Sequence, residues 1–307
     1  MEKNMNINFQ FLEARIKDAL EQTDLERIRY ELKRIETPTL VSGVGGSSVV
    51  SEFTSRVLSR KNEIISHNAE PRDFVYSQNH GYQNVIACSY SGNNYGVELS
   101  FNNDLKKYLL SNNSFNQQDI TYLEYKTTID KERSFISLGA TLIPITIILD
   151  YYLNGKQDKL DELLSQREYN FGINADAYEI FSGHDTSSTA KYLESTLVEA
   201  GIGIPIVHDK YSYCHGRSTL CKNYNNLVIY LNRNTELDKI LLEELKLYHK
   251  TIIIIDSKTQ DPILDDYQML IQAMYLTKYM AEQQNKDLSK VDYNPMVKKL
   301  YKYSGQL

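Results

Sequence analysis

The chain has no tryptophan, only three cysteines and no long apolar run. Cys88, Cys214 and Cys221 are odd in number and lack CxxC or zinc-ligand spacing. That excludes a disulfide scaffold and reads as reduced thiols in the cytoplasm. The longest apolar stretch, residues 135–149, is interrupted by Ser137, Gly139, Thr141, Pro144 and Thr146. It falls short of the roughly 20 apolar residues that span a bilayer. The opening residues MEKNMNINFQFLEARIKDAL have no apolar core of the signal-peptide kind. Basic charge is also in deficit: 34 Lys and Arg face 40 Asp and Glu, a net charge of −6. A generic nucleic-acid backbone binder needs the opposite balance. His67, His80, His184, His208 and His249 show no metal spacing. The expectation is a soluble cytoplasmic protein with no metal or other cofactor, no nucleic-acid partner and no membrane partner.

What is present is length and alternation. A chain of 307 residues suggests about two domains. Residues 9–35 carry apolar positions at helical spacing and predict one or two amphipathic helices. Strand-like runs follow at 39–43, 63–66, 84–89 and 120–125, with helical stretches at 49–59, 94–110 and 138–152. The second half repeats the arrangement, with strands at 178–182, 204–207, 227–231 and 251–256 and helices at 190–200, 236–248 and 267–284. Alternating strands and helices imply parallel sheets with helices on both faces. The segment SGVGGSS at 42–48 is matched 140 residues later by SGHDTSS at 182–188. Both run from a strand into a helix, which supports a duplication. The expected division is N-terminal helices at 1–36, a first α/β unit at 37–160 and a second at 161–307.

Two segments of the first half have the composition of anion-holding loops. Residues 43–48 (GVGGSS) combine glycines with terminal hydroxyls, and residues 89–94 (SYSGNN) follow a strand with two hydroxyls, a glycine and an amide. In doubly wound sheets ligands sit beyond the carboxyl ends of the strands, where free N–H groups and the helix dipole favour an anion. There is no GxxxxGK[ST], and the third glycine of a dinucleotide fingerprint would fall at Ser48. Each cluster taken singly also reads as an ordinary turn or helix cap.

At these residues the chain resembles the SIS (sugar isomerase) family. Ser89-Tyr90-Ser91-Gly92-Asn93-Asn94 resembles the SxSGxT phosphate loop, residues 43–47 the first Gly/Ser loop, and residues 132–137 (ERSFIS) the third ligand segment, which ends in a serine. The resemblance covers nearly the whole chain as two tandem doubly wound, flavodoxin-like SIS domains. It is nearest in pattern to the isomerase half of glucosamine-6-phosphate synthase and to related deaminases and deglycases. It implies phosphate binding by Ser47, Ser89, Ser91, Asn94 and Ser137. It further implies Glu199 as general base and, 16 residues later, His215 in a His-Gly pair as the ring-opening group. A tail lysine reaches the sugar in that pattern, and Lys299, seven residues after Asp292, takes its place, with Lys298 as the alternative. The resemblance also implies a homodimer in which the His215 loop serves the neighbouring subunit. Arg217 replaces the usual proline after His-Gly, Asn94 a threonine, Tyr90 a glutamine, and Thr196 a lysine. No cysteine follows Met1, so glutaminase chemistry is not expected.

The implied chemistry is consistent with the residue types. A carboxylate near two adjacent carbons can take a proton from one and return it to the other, and such help is worth about 10²–10⁴-fold. An imidazole can protonate a ring oxygen, and a phosphate supplies remote binding energy that orients the reacting carbons. Each group also has a plainer reading: Glu199 as a solvated helix end, His215 as a hydrogen-bonded structural histidine, and Lys299 as part of a basic tail. The expected function is therefore a phosphosugar isomerase, deaminase or deglycase. The alternative is a non-catalytic sugar-phosphate sensor. A helix-turn-helix regulator is disfavoured because the N-terminal segment lacks a basic recognition helix.

Overall fold

The computed structural model describes residues 12–76, 81–114, 117–127, 136–164, 167–173, 175, 177–222 and 226–289. Two amphipathic helices come first, α1 (Leu12–Gln22) and α2 (Leu25–Lys33). Asp24 caps α2 by accepting the Arg27 N–H at 3.0 Å. The first sheet is formed by β1 (Thr39–Gly43), β2 (Ser66–Ala69), β3 (Asn84–Cys88), β4 (Lys106–Ser111) and β5 (Ile120–Glu124). Between them lie α3 (Gly46–Lys61), α4 (Asp73–Tyr76) and α5 (Tyr95–Ser100). A π-helical turn (Leu138–Leu142) then leads into α6 (Ile143–Leu153), followed by α7 (Gln157–Leu163).

The second sheet contains β6 (Tyr178–Ser182), β7 (Pro205–Asp209), β8 (Leu227–Asn232) and β9 (Ile252–Asp256). Its helices are α8 (Ser187–Glu199), α9 (Glu236–Tyr248) and α10 (Pro262–Gln283), with 3₁₀ turns at His184–Thr186 and Arg217–Lys222. All strand pairings in both sheets are parallel. The orders are β2-β1-β3-β4-β5 and β7-β6-β8-β9. In each, the second strand in sequence lies on one side of the first and the third on the other. The chain therefore reverses direction between β1 and β3, and again between β6 and β8, and a crevice opens at each reversal.

β1, β3, β6 and β8 are buried along their whole length, as expected for strands covered on both faces. One apolar cluster runs through both halves. It includes Val50, Phe53 and Val57 of α3, Ile145 and Ile148 of α6, Leu193 and Leu197 of α8, and Leu270, Met274 and Leu276 of α10. Leu160, Leu163 and Leu164 in and beside α7 join it. Arg56 on α3 is buried and fixes this packing electrostatically. It forms an ion pair with Asp266 of α10 and donates to the Asp185 carbonyl at 2.7 Å. Asp266 in turn accepts from the Thr189 hydroxyl of α8 at 2.7 Å.

Three sequence expectations need correction. The helix expected over 94–110 is two elements: α5 ends at Ser100, and residues 106–111 form β4, an interior strand. The Asn103 side chain accepts the Leu105 N–H at 3.0 Å and turns the chain between them. β2 lies at 66–69 rather than 63–66, because an edge strand of Ser, His, Asn and Ala has no apolar run to mark it. α10 begins at Pro262, five residues before the expected start, where Asp261 caps the Ile263 and Leu264 N–H groups.

Candidate phosphate-binding site

The crevice between β1 and β3 is built from three segments that the fold brings together. The first is the turn from β1 into α3. A Cβ on Gly43 would fall 2.2 Å from the Ser47 carbonyl, so only glycine allows the helix to start this close to the strand end. Gly45 has φ +59° and ψ −132°, which favours glycine, and it caps α3 without a side-chain acceptor. The first turn of α3 therefore offers N–H groups and the positive end of a 16-residue helix. Ser48 turns its hydroxyl inward to the Gly45 carbonyl at 2.7 Å, which leaves half-buried Ser47 as the candidate hydroxyl of this loop.

The second segment follows β3. The Ser89 Oγ is buried and accepts the Gly92 N–H and the Asn94 side-chain amide, both at 3.1 Å. Among the described residues no acceptor takes the Ser89 hydroxyl proton. Asn94 also caps α5, accepting the Val97 N–H at 3.0 Å, so this side chain both shapes the loop and starts the helix. Ser91 is half-buried and receives the Asn113 amide on its carbonyl at 3.4 Å. A Cβ on Gly96 would lie 2.7 Å from the Val44 side chain, so the first and second loops touch.

The third segment begins at Ser137, which has φ +55°, an uncommon conformation for serine. Its carbonyl accepts the Thr141 N–H at 2.9 Å and starts the turn into α6. A Cβ on Gly46 would come within 2.9 Å of the Thr141 hydroxyl and 3.7 Å of the Ser137 hydroxyl. Ser137 thus stands beside the first turn of α3. Loops of this composition and two converging helix starts are suited to an anion with several oxygens. Cys88, at the end of β3, is fully buried, and burial pushes its thiol up to about 12, so it offers no nucleophile here. Beside the second loop lies a cleft of about 230 Å³ lined by Gly92, Asn94, Val97, Leu109 and Tyr122. Among the described residues no group of three or more His, Cys, Asp or Glu is gathered that could hold a metal ion.

The second crevice, between β6 and β8, carries the matching SGxxxSS loop but is occupied by the protein itself. Thr186 turns its hydroxyl back to the Gly183 N–H at 3.1 Å and to the Ser182 hydroxyl at 3.0 Å. Arg233, just beyond β8, forms ion pairs with Asp185 from this loop and with Asp265 of α10, the latter at 2.9 Å. A carboxylate at 185 stands where the first loop has Gly45, and its charge opposes an incoming anion. We therefore expect a titrated sugar phosphate to saturate at one equivalent per chain, read by calorimetry; two equivalent sites would contradict this account of the second crevice.

The other expected site residues are placed differently. Glu199 is the last residue of α8 and is exposed, accepting from the Ser195 hydroxyl at 2.9 Å. His215 is exposed on a turn after β7, and its backbone N–H donates to the Ser212 carbonyl at 3.0 Å. Among the described residues no hydrogen bond joins Glu199 or His215 to one another or to the three loops. Residues 132–135, Lys298 and Lys299 lie outside the described residues. Sequence reasoning missed Glu52, which accepts from Asn68 at 3.0 Å and from Ser187 at 2.7 Å and so ties α3 to β2 and α8. It also missed the buried Glu179–His208 pair. Neither has a local signal, because the partners are 16 to 135 residues apart.

No protein-family model matches the chain, and no curated protein matches it by sequence. Solved structures do match over nearly its whole length. Tagatose-6-phosphate ketose/aldose isomerase from Escherichia coli superposes with a TM-score of 0.72 at 13% identity, covering 93% of this chain and 96% of that one. The chain has the fold of that protein. The C-terminal domain of glucosamine-fructose-6-phosphate aminotransferase from Francisella tularensis gives 0.68 at 12%, covering 94% and 98%. Glucosamine-6-phosphate deaminase from Thermotoga maritima gives 0.65 at 14%, covering 92% and 97%. No described helix is long and apolar enough to cross a membrane.

Proposed function

We propose that this chain is a phosphosugar isomerase, or a deaminase or deglycase of the same mechanistic kind, acting on a sugar or amino-sugar 6-phosphate. The observation that carries the reading is the meeting of three hydroxyl-bearing loops, at Ser47, at Ser89–Asn94 and at Ser137, around the start of α3. Similarity in fold to proteins named for work on sugar phosphates supports it. In this reading Ser47, Ser89, Ser91, Asn94 and Ser137 hold the phosphate, whose binding energy positions the sugar carbons. Glu199 moves a proton between C1 and C2. His215 assists ring opening, and Lys299 or Lys298 reaches the sugar. The two units, 37–160 and 161–307, would be copies of one design that divide these tasks. The test is proton exchange at C1 and C2, followed by NMR in D₂O across ketose and amino-sugar 6-phosphates. Exchange with none of them contradicts the reading.

His215 is exposed and free of the three loops within one chain, which favours its delivery to a neighbouring copy in a homodimer. A mixture of Glu199→Gln and His215→Ala chains, each strongly impaired but measurable alone, is then expected to regain activity in about a quarter of its sites. If mixing restores nothing while the chains exchange, His215 does not act across an interface.

A further inference from the structure

We infer that His208 is a positioning residue for His215, a buried ring on which both arms of the His215 turn rest. The inference depends on the functional reading for the role of His215, but not for the geometry.

β6 and β7 run parallel with Phe181 opposite His208, and Glu179 lies two residues earlier on the same face of β6. Glu179 and His208 are each only 1% exposed. Every edge and face of the ring at 208 is occupied. The ring Nε2 lies 3.0 Å from one Glu179 oxygen, and Asn226 donates to the other at 2.6 Å. Nδ1 faces the Arg217 guanidinium at 3.4 Å. A guanidinium only donates, so Nδ1 is the acceptor and the Nε2 proton is given to Glu179. Phe181 packs on the ring with centroids 5.0 Å apart, and Tyr213 meets it edge-on at 5.1 Å.

Tyr213 and Arg217 stand two residues before and two residues after His215. Both therefore grip the same buried imidazole, and the exposed tip of Cys214, His215 and Gly216 is held between them. Arg217 also donates to the Val207 carbonyl at 3.1 Å. At the base of the turn the Lys210 ammonium donates to Asp238 at 2.6 Å and to the Leu231 carbonyl. Without such anchors an exposed polar turn would wander, and displacement of a reacting group by about 1 Å can cost on the order of 100-fold in rate. A buried carboxylate is costly unless it is hydrogen-bonded, and apolar side chains would fill this core at less cost. What the Glu179–His208 pair adds is a fixed acceptor at Nδ1 for Arg217. Arg217 itself stands where the resemblance leads one to expect proline, so side-chain contacts do the work of a stiffened backbone.

The test uses two variants of the full chain, Arg217→Met at the exposed side and His208→Gln in the core. Amide hydrogen exchange over residues 210–217 is expected to rise about tenfold or more in both, with α10 unchanged. For the sugar phosphate turned over best, kcat should fall roughly tenfold or more while KM stays within about twofold. Combined with His215→Ala, neither change should slow the enzyme further, because a positioning residue acts only through the group it positions. Arg217→Lys, which keeps a donor, should recover part of the loss. Unchanged exchange in both variants overturns the inference whether or not the protein is active, and so does an additive loss in the combined variants. If the wild-type chain converts no sugar phosphate, the functional reading fails, and the exchange measurement still decides whether His208 holds the turn.

Discussion

Glu199→Gln should remove proton transfer between C1 and C2 of a bound sugar phosphate, a loss of about 10²–10⁴-fold. The same change should leave sugar-phosphate affinity within about twofold, because uniform binding is not what it removes. The reasoning is local. Glu199 ends α8, is exposed, and accepts a hydrogen bond from the Ser195 hydroxyl one turn back. Glutamine keeps that contact, the side-chain length and the helix end, and removes only the ability to take up a proton. The phosphate loops belong to β1, β3 and the turn before α6, so their grip does not pass through residue 199. Calorimetry measures the first quantity left intact, and C2-proton exchange by NMR measures the one lost. Wild-type turnover in the variant would remove Glu199 from the base role. A wild-type chain that binds and never exchanges would be the non-catalytic sensor.

Asp266→Ala should destabilise the protein by about 3–5 kcal/mol, the usual cost of stranding one partner of a buried ion pair. The Arg56 side chain is 5% exposed and loses its charge partner in this variant. Its remaining contacts, to the Asp185 and Pro262 carbonyls, do not neutralise it. The Thr189 N–H loses its side-chain acceptor at the same time, while the Thr189 hydroxyl keeps the Asp266 carbonyl at 2.9 Å. Because α3, α8 and α10 meet at this network, the whole molecule should melt earlier, by on the order of 10 °C in a thermal denaturation followed by circular dichroism. Arg56→Met combined with Asp266→Leu is expected to recover most of the loss, since apolar replacement of both partners leaves no orphan charge. If the double change is as damaging as the single one, the cost lies in packing rather than in charge.

The parts of this molecule that announce themselves in the sequence are those whose physics is local. β1, β3, β6 and β8 are buried throughout, carry short apolar runs, and lie within a residue of where the pattern puts them. The glycines at 43, 45 and 46 declare a tight strand-to-helix turn, and Ser89 and Asn94 declare a capped loop. β4 was hidden because Lys106 and Lys107 continue an apparently helical charge pattern past the Asn103 turn. The two SGxxxSS segments look alike as strings and end up with opposite characters. Their difference is made by Arg233, 48 residues beyond Asp185, and by Asp265 on a later helix. The Glu179–His208 pair spans 29 residues and two strands. Long-range charge pairing of this kind has no periodicity to read, and it is what distinguishes the open crevice from the closed one.

The claim on which the rest depends is that the crevice between β1 and β3 takes a phosphate. Calorimetric titration of ketose and amino-sugar 6-phosphates, each beside its dephosphorylated sugar, tests it directly. The account predicts that at least one 6-phosphate binds at one equivalent per chain, that its free sugar does not bind, and that Ser89→Ala combined with Ser137→Ala removes the binding without unfolding the chain. Equal binding of phosphorylated and free sugars, or full affinity in that double variant, would contradict it.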